Sequence, residues 1–198
     1  GFLAFSYNYV VDPRISRFMQ LKIGFENSIL IVDEAHNLQH IAGEVNSDRI
    51  TLGTVERALK EAREVGSLDL VSFLDDMQAY LTKLRDQIKG EDAVFDVEDC
   101  VCRCAGNFEA FREYAEDAKR LGNKIRRKLL REGKAPRSSL HHLGEFWLKV
   151  LENLGVEGVA FLVSKEDGGN LAVEMFDMRA EELLGKLWNK FEVCIFCS

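Results

Sequence analysis

Hydrophobic residues recur at helical spacing along most of the chain after about residue 50. Spacings of three and four residues predict four amphipathic helices, over residues 52–62, 70–88, 108–129 and 143–154. Pro136 and the capping candidates Ser138 and Ser139 precede the fourth of them. Such stripes are typical of a helix-bundle core rather than of a cofactor-binding motif. The middle of the chain is therefore expected to be a mostly helical module.

The segments on either side of this module have the pattern of an α/β sheet. Strands are predicted over residues 2–6, 28–32 and 193–197, and helices over residues 14–22 and 183–191. The run at 28–32 is apolar and β-branched, which is typical of a strand buried on both faces. Within the module, residues 156–163 and 170–176 are expected to form two strands, joined by a hairpin loop at 165–169. The predicted fold is an α/β sheet interrupted by a mostly helical insertion with a small β-hairpin.

Composition excludes several classes of protein. Hydrophobic residues make up 46% of the 198 residues and charged residues 30%, which excludes a disordered or collagen-like chain. No run of 18 apolar residues occurs, so no membrane span or membrane partner is expected. Residues 1–5 lack the basic region of a signal peptide, and they suggest a chain entered partway through a larger protein.

Basic charge is concentrated in one stretch. Residues 119–137 have a formal charge of +8, although the whole chain has −7. The stripe of Leu121, Ile125 and Leu129 should turn the basic side chains outward, where they can neutralise phosphates and release counterions. The candidate nucleic-acid contacts are Lys124, Arg127, Lys128, Arg131, Lys134 and Arg137. The alternative is a solvated helix face that is paired with acidic residues of the bundle.

Other residue types with chemical potential have simpler interpretations. Phe108, Phe111 and Tyr114 can stack bases, but their spacing favours core packing. The cysteines, at 100, 102, 104, 194 and 197, are expected to be free, packed thiols that hold no metal. His36 and His40 have the i, i+4 spacing of a metal site without a cysteine nearby, and His141 and His142 are expected at the surface.

Two adjacent carboxylates follow the predicted strand at 28–32, in the sequence Asp33-Glu34-Ala35-His36. Ligands of open α/β sheets bind at the carboxyl ends of strands. One carboxylate there can hold Mg²⁺, and the other can orient or deprotonate a water that attacks a nucleotide. Acidic residues are also favoured in the first turn of a helix. The apolar strand and the full four-residue motif favour nucleotide hydrolysis.

These residues resemble a known family. Asp33 to His36, followed by Asn37 and Leu38, resemble motif II of superfamily 2 helicases. Residues 7–15 (Tyr-Asn-Tyr-Val-Val-Asp-Pro-Arg-Ile) resemble the Tyr-x-Tyr-Leu-Leu-Asp-Pro-x-Ile stretch that precedes this motif in XPD-type iron–sulfur helicases. Residues 133–138 with 146–147 resemble a late Arch-domain segment. Residues 193–198 resemble the strand into motif III, with Cys197 in place of Thr. The short insertion is more similar to archaeal XPD than to the eukaryotic form, and DinG helicases are the nearest alternative.

The resemblance implies a division of the chain into three segments. Residues 1–45 would be part of the first motor domain, with P-loop or RecA-like sheet pieces, and residues 46–177 would be the Arch insertion. Residues 178–198 would return to the motor domain and lead into motif III. In this family Asp33 would coordinate Mg²⁺, Glu34 would activate water for ATP hydrolysis, and His36 would couple the nucleotide site to DNA binding.

The implied activity is that of an ATP-dependent 5′-to-3′ DNA helicase that translocates on single-stranded DNA in nucleotide excision repair. The 4Fe-4S ligands of the family lie upstream of the Tyr-x-Tyr stretch, so none of the five cysteines is assigned to that cluster. The phosphate-binding Lys loop and the arginine fingers lie outside the chain, which is expected to be inactive by itself. Such a protein would be cytoplasmic in an archaeon and nuclear in a eukaryote.

Two alternatives remain open at this point. The chain can belong to a DinG-like helicase. The insertion can also act by itself, either as a non-catalytic DNA clamp or as a docking module for repair or transcription proteins.

Overall fold

The computed structural model describes residues 1–88, 92–166 and 169–198, without the side chain of Arg14. Over these residues the helices are Asn8–Val11 (α1), Pro13–Ile23 (α2), Leu38–Asn46 (α3), Leu52–Val65 (α4), Leu68–Gln87 (α5), Val97–Ala105 (α6), Phe108–Arg131 (α7), Ser139–Glu152 (α8) and Ala180–Trp188 (α9). The strands are Ile29–Val32 (β1), Asp48–Thr51 (β2), Asp92–Val94 (β3), Val159–Lys165 (β4), Leu171–Asp177 (β5) and Val193–Phe196 (β6). The protein is mixed α/β and mostly helical, with small sheets.

The chain folds into two compact units. Unit 1 contains Gly1–Asp48 and Phe176–Ser198, and unit 2 contains Arg49–Met175. Each unit has its own hydrophobic core. The borders predicted from sequence, after residues 45 and 177, fall within three residues of these divisions. The assignment of the units to a motor domain and an Arch insertion stays a prediction.

Unit 1 is built around a parallel pair of strands from the two ends of the chain. In the ladder between β1 and β6, Ile29 lies opposite Val193 and Val32 lies opposite Phe196. The two end segments therefore share one sheet, as the hydrophobic pattern predicts. The buried core residues of this unit are Val10, Val11, Val32, Leu38, Ala42, Ala180 and Leu187.

For unit 1, the predicted strand at 2–6 is wrong, and so is the predicted burial of the strand at 28–32, which itself is present as β1. Residues 2–6 form no strand, and Phe2 is 85% exposed, because none of the described strands lies beside this segment to satisfy its backbone groups. The strand β1 is not buried on both faces either, since Ile29 and Ile31 are 60% and 58% exposed. Alternate residues of a strand face opposite sides, and the unit 1 core packs only against the side of Leu30 and Val32.

Unit 2 combines a helical bundle with a four-stranded sheet in the order β2-β5-β4-β3. The four helices predicted from sequence are confirmed as α4, α5, α7 and α8, and the two predicted strands as β4 and β5. The predicted hairpin loop includes residues 167 and 168, which lie outside the described residues. Antiparallel β3 pairs with β4, with Asp92 opposite Ser164. The helices and the sheet enclose one core, in which Trp147, Phe111 and Phe146 are among the largest fully buried side chains.

The cysteines divide between core and surface. Cys100 and Cys104 are buried, as predicted, because four residues along α6 return to the same helix face, and their Sγ atoms lie 4.0 Å apart. The hydrogen bond between the two thiols and their burial raise the pKa of Cys100. The prediction of packed thiols is wrong for Cys102 and Cys197, which are exposed. Cys194 is half-buried.

Helices α7 and α8 approach so closely that two glycines are required. A Cβ atom on Gly122 of α7 would lie 2.6 Å from the Cα of His141. A Cβ atom on Gly144 of α8 would lie 2.5 Å from the carbonyl oxygen of Ala115. Both distances end on backbone atoms, which cannot rotate away as a side chain can. The two helix backbones therefore pack directly on each other at these positions.

His141 is buried in this interface and not exposed as predicted. Its Nε2 lies 2.9 Å from Nη1 of Arg126, and its Nδ1 lies 3.2 Å from Oε2 of Glu145. A guanidinium only donates, so Nε2 accepts and Nδ1–H donates to the carboxylate. Burial lowers the pKa of His141, and the nearby charges of Arg126 and Lys119 lower it further, against the opposing effect of Glu145.

The first prediction concerns the helix contact. Gly122→Ala should lower the free energy of unfolding by about 1–3 kcal/mol, because α7 and α8 must separate to admit the methyl group. Thermal denaturation followed by circular dichroism measures this change. Gly53→Ala in α4 is the matched control, since its Cβ would meet only side-chain atoms, at 3.4 and 3.7 Å. Equal midpoints for the two variants would contradict the close approach.

The second prediction concerns pH. Because the pKa of His141 is lowered on folding, the unfolded chain binds a proton that the folded chain does not bind. Stability should therefore fall as the pH drops below about 6.5, the ordinary histidine value. The slope of the unfolding midpoint between pH 7.5 and 5.5 should be flatter in His141→Gln and unchanged in His40→Gln, whose residue is exposed and belongs to unit 1. A wild-type slope in His141→Gln would refute the assignment.

Candidate functional site

The Asp-Glu-Ala-His motif lies where β1 ends. Asp33 and Glu34 follow Val32 directly and are exposed, and a short 3-10 turn at Ala35–Asn37 leads into α3. Two carboxylates thus emerge at the carboxyl end of a parallel strand, as the sequence predicts.

Glu34 has a backbone conformation that is rare for residues other than glycine. Its φ is 50° and its ψ 46°, in the left-handed region, and within residues 1–88, 92–166 and 169–198 no other non-glycine residue has a positive φ. This conformation costs about 1–2 kcal/mol. Local bonds hold it: Glu34 N–H donates to Oδ1 of Asp33 at 3.0 Å, and Asn37 N–H donates to the Glu34 carbonyl at 3.0 Å.

The end of β6 holds the same turn from the other side. Cys197 N–H donates to the Val32 carbonyl at 2.8 Å, and its own carbonyl accepts from Ala35 N–H at 2.9 Å. His36 Nδ1 lies 3.2 Å from Oγ of Ser198 and 3.3 Å from Oε2 of Glu34. The structure therefore brings together the three predicted residues of the motif and adds Ser198.

Tyr7 is a further residue at this site that sequence reasoning did not assign. Its hydroxyl donates to the Asp33 carbonyl at 2.5 Å and lies 3.4 Å from the Glu34 carbonyl. The signal in the sequence was the Tyr-x-Tyr stretch, but nothing in its spacing indicates a bond to a residue 26 positions away.

The donor set at this turn suits magnesium bound to a nucleotide. Mg²⁺ is usually held by one or two carboxylates together with substrate phosphates and waters, rather than by an all-protein cage. Asp33 and Glu34 supply exposed carboxylates of this kind. In the part of the chain that the structure describes, no group of three or more His, Cys, Asp or Glu side chains is placed to hold a metal ion. His40, considered with His36 for zinc, lies 3.3 Å from Glu44 instead.

The second candidate site is the basic face, which we define as the six predicted basic residues of α7 and of the segment that follows it. All six side chains are exposed: Lys124, Arg127, Lys128, Arg131, Lys134 and Arg137. A depression of about 370 Å³ beside them is lined by Glu116, Lys119, Arg120, Asn123, Lys124, Arg127 and Leu148. This face offers cationic groups to an anion.

Ion pairs within the protein neutralise only part of this charge. Lys134 contacts Glu132 at 2.8 Å, which lowers the pKa of that carboxyl, and Arg120 contacts Asp117 at 2.7 Å. Among the described residues, no such pair involves Lys124, Arg127, Lys128 or Arg131. Arg126 instead points inward, and its Nε donates to the Pro136 carbonyl at 3.1 Å. That bond ties the segment after α7 to the helix.

The aromatic residues of α7 are mostly in the core. Phe111 is fully buried, and Tyr114 stacks on Phe73 with ring centroids 4.6 Å apart. Core packing, the favoured interpretation, is confirmed for these two, whereas Phe108 is 41% exposed.

None of the helices in the described residues combines the length and apolarity needed to cross a bilayer.

Comparison with known proteins relates the chain to helicases. Residues 2–55 match the family described as DEAD_2, a segment that contains Tyr7 and the whole Asp-Glu-Ala-His turn. A regulator of telomere elongation helicase 1 homolog from Caenorhabditis elegans is 37% identical over 62 residues, which are 31% of this chain and 6% of that protein.

Homologs of the same name from two flies align over longer stretches. The one from Drosophila persimilis is 32% identical over 101 residues, covering 44% of this chain and 10% of that protein. The one from Drosophila yakuba is 32% identical over 108 residues, covering 48% of this chain and 11% of that protein. The aligned regions thus span about a tenth or less of these relatives. The chain is thus similar to DEAD_2 over residues 2–55, and to these helicases over less than half of its length.

Proposed function

We propose that the protein containing this chain is an ATP-dependent DNA helicase and that the Asp-Glu-Ala-His turn is part of its Mg·ATP site. The observation that carries the proposal is the pair of exposed carboxylates at the end of β1, within the segment that matches DEAD_2. The left-handed backbone at Glu34 also supports it, since strain of this kind clusters at functional sites.

The residues of the turn have separate roles in this proposal. Asp33 would hold Mg²⁺, which when bound supplies positive charge to the phosphates. Glu34 would orient and deprotonate the attacking water. His36 lies between Glu34 and Ser198, so it would relay a movement of the β6 end to the carboxylate that acts on the water.

The exposed face of the unit 1 sheet supports a larger motor domain. Parallel sheets are normally covered on both faces, but Ile29 and Ile31 of β1 and Ile195 of β6 are each at least 45% exposed. We infer that other parts of the intact protein cover this face.

The XPD-type resemblance supports a finer proposal. In it, unit 1 is RecA-like and unit 2 is an Arch insertion. The enzyme moves 5′ to 3′ on single-stranded DNA in excision repair and carries a 4Fe-4S cluster outside this chain. It would work in archaeal cytoplasm or in the nucleus. The regulator of telomere elongation helicase homologs and DinG are the alternatives within the family.

A second function concerns unit 2 alone. The exposed, unneutralised cations on α7 favour a clamp for single-stranded DNA, because backbone phosphates are recognised mainly by such charges. Repair or transcription proteins that dock on this face are the competing occupants.

The third prediction tests catalysis in the intact protein. Glu34→Gln should lower DNA-stimulated ATP hydrolysis at least about a hundredfold, because the amide cannot take the proton of the attacking water. A phosphate-release assay at saturating ATP measures the rate. Glu26→Gln, a change of the same kind at an exposed position before β1, should stay within twofold of wild type. Unchanged hydrolysis in Glu34→Gln would defeat the helicase proposal.

The fourth prediction tests the basic face. Arg127→Glu plus Lys128→Glu should weaken binding of single-stranded DNA by tenfold or more. The slope of log affinity against log salt should become shallower by about 1.4, since each phosphate contact contributes about 0.7. Fluorescence anisotropy between 50 and 200 mM salt measures both quantities.

The control for the basic face is Lys60→Glu plus Lys83→Glu, which makes the same change of net charge at exposed positions of α4 and α5. This control should keep most of the affinity and the wild-type slope. An equal loss in both double variants would show a nonspecific charge effect. If the chain binds no DNA even at 50 mM salt, the clamp is excluded and protein docking is favoured.

A further inference from the structure

A single side chain reaches the Asp33–Glu34 peptide from a distant part of the chain. Tyr7 precedes α1, and its hydroxyl donates to the Asp33 carbonyl at 2.5 Å. The ring of Tyr7 packs against the unit 1 core, and this packing restrains the position of the hydroxyl. The Tyr7 bond therefore connects the core of unit 1 to the turn that carries both carboxylates.

The geometry of the peptide group makes this bond important. The carbonyl of Asp33 and the N–H of Glu34 belong to one planar unit and rotate together. That N–H donates to Oδ1 of the Asp33 side chain at 3.0 Å. A rotation of the peptide would therefore move the donor that orients the Asp33 carboxylate. By fixing the carbonyl, the Tyr7 hydroxyl also fixes the direction of that carboxylate.

The remaining bonds of the turn do not replace Tyr7. Cys197 N–H bonds to the Val32 carbonyl, one peptide before the Asp33 carbonyl. Ala35 N–H and Asn37 N–H bond to the carbonyls of Cys197 and Glu34, on the other side of the turn. In the described parts of the chain, Tyr7 alone donates to the Asp33 carbonyl. The left-handed conformation of Glu34 is less favourable than the ordinary one, so the turn depends on the bonds that hold it.

We propose that Tyr7 is a positioning residue for the Asp33–Glu34 turn: its hydroxyl sets the peptide orientation that aims the Asp33 carboxylate at Mg²⁺. The role of the carboxylates rests on the proposed function. Tyr7 itself contacts backbone, so it acts through Asp33 and is not a catalytic group. The hydroxyl is essential to the proposal, whereas the ring contributes only packing.

The fifth prediction separates the hydroxyl from the ring with Tyr7→Phe in the intact protein. Without any nucleotide, hydrogen–deuterium exchange of the peptide covering residues 30–37 should become at least about fivefold faster, because the turn loses its anchor. Tyr9→Phe is the matched control, since Tyr9 lies two residues along in α1 and is 45% exposed. It should exchange at the wild-type rate. Equal exchange in the two variants would overturn the positioning role whatever the reaction is.

Kinetics of the same variants test the link to the metal. Tyr7→Phe should lower kcat for ATP about tenfold, which corresponds to about 1.4 kcal/mol, and raise the Mg²⁺ concentration for half-maximal rate by a similar factor. The KM for ATP at saturating Mg²⁺ should change less than threefold. A purely structural role would instead lower kcat in proportion to the folded fraction, without moving the Mg²⁺ dependence, and that result would overturn the proposal.

Glu34→Gln, measured alongside, keeps the two proposals distinguishable. If Glu34→Gln removes ATP hydrolysis while Tyr7→Phe leaves both kcat and the Mg²⁺ requirement unchanged, the positioning role fails and the proposed function stands. If Glu34→Gln leaves hydrolysis intact, the proposed function fails, and the exchange rates alone decide whether Tyr7 anchors the turn.

Discussion

The parallel pairing of β1 with β6 is the constraint on which the candidate nucleotide site depends. It joins strands from the two ends of the chain, and it continues past Val32 through two backbone bonds of Cys197. Those bonds lie directly against the Asp33–Glu34 turn. Without β6 the turn would lose the support on the Ala35 side, and His36 would lose Ser198. The chemistry at the motif thus depends on residues that the sequence separates by the whole of unit 2.

Unit 2 depends on a different constraint, the direct contact of α7 and α8. Gly122 and Gly144 allow the backbones to meet, and this contact buries the apolar side of α7. A helix with one side buried must present its other side to solvent, so the position of the basic residues follows from the glycines as much as from the charges. His141 adds to this arrangement, because it accepts from Arg126, which in turn bonds to the segment after α7.

Much of the fold could be predicted because its signals are local. The long helices α5 and α7 span several turns of regular spacing, and the carboxylate motif follows an apolar strand. The three residues of β3 are too few to show a period. In α6 the apolar residues Val97, Cys100, Val101 and Cys104 do have helical spacing, although no predicted helix covers them. The prediction that β1 is buried on both faces is wrong, because the composition of a strand does not show which elements cover its faces. The prediction that His141 lies at the surface is wrong for the same reason, since its burial depends on Gly122 in the facing helix. The role of Tyr7 could not be predicted, because it depends on a hydrogen bond from its hydroxyl to the Asp33 carbonyl, 26 positions further along the chain.

Two observations concern the turn at Glu34. Local backbone preference disfavours a glutamate in the left-handed region, and in the described residues only Glu34 breaks that preference. Glycine would relieve the strain but would remove the carboxylate. Bonds from Tyr7, Cys197 and Asn37 hold the position at this cost. A fold that needed only a tight turn here would gain stability from glycine, so the carboxylate itself is what the strain preserves. The same turn lies inside the segment matched to DEAD_2, where a strained acidic residue is expected to serve the chemistry of the site.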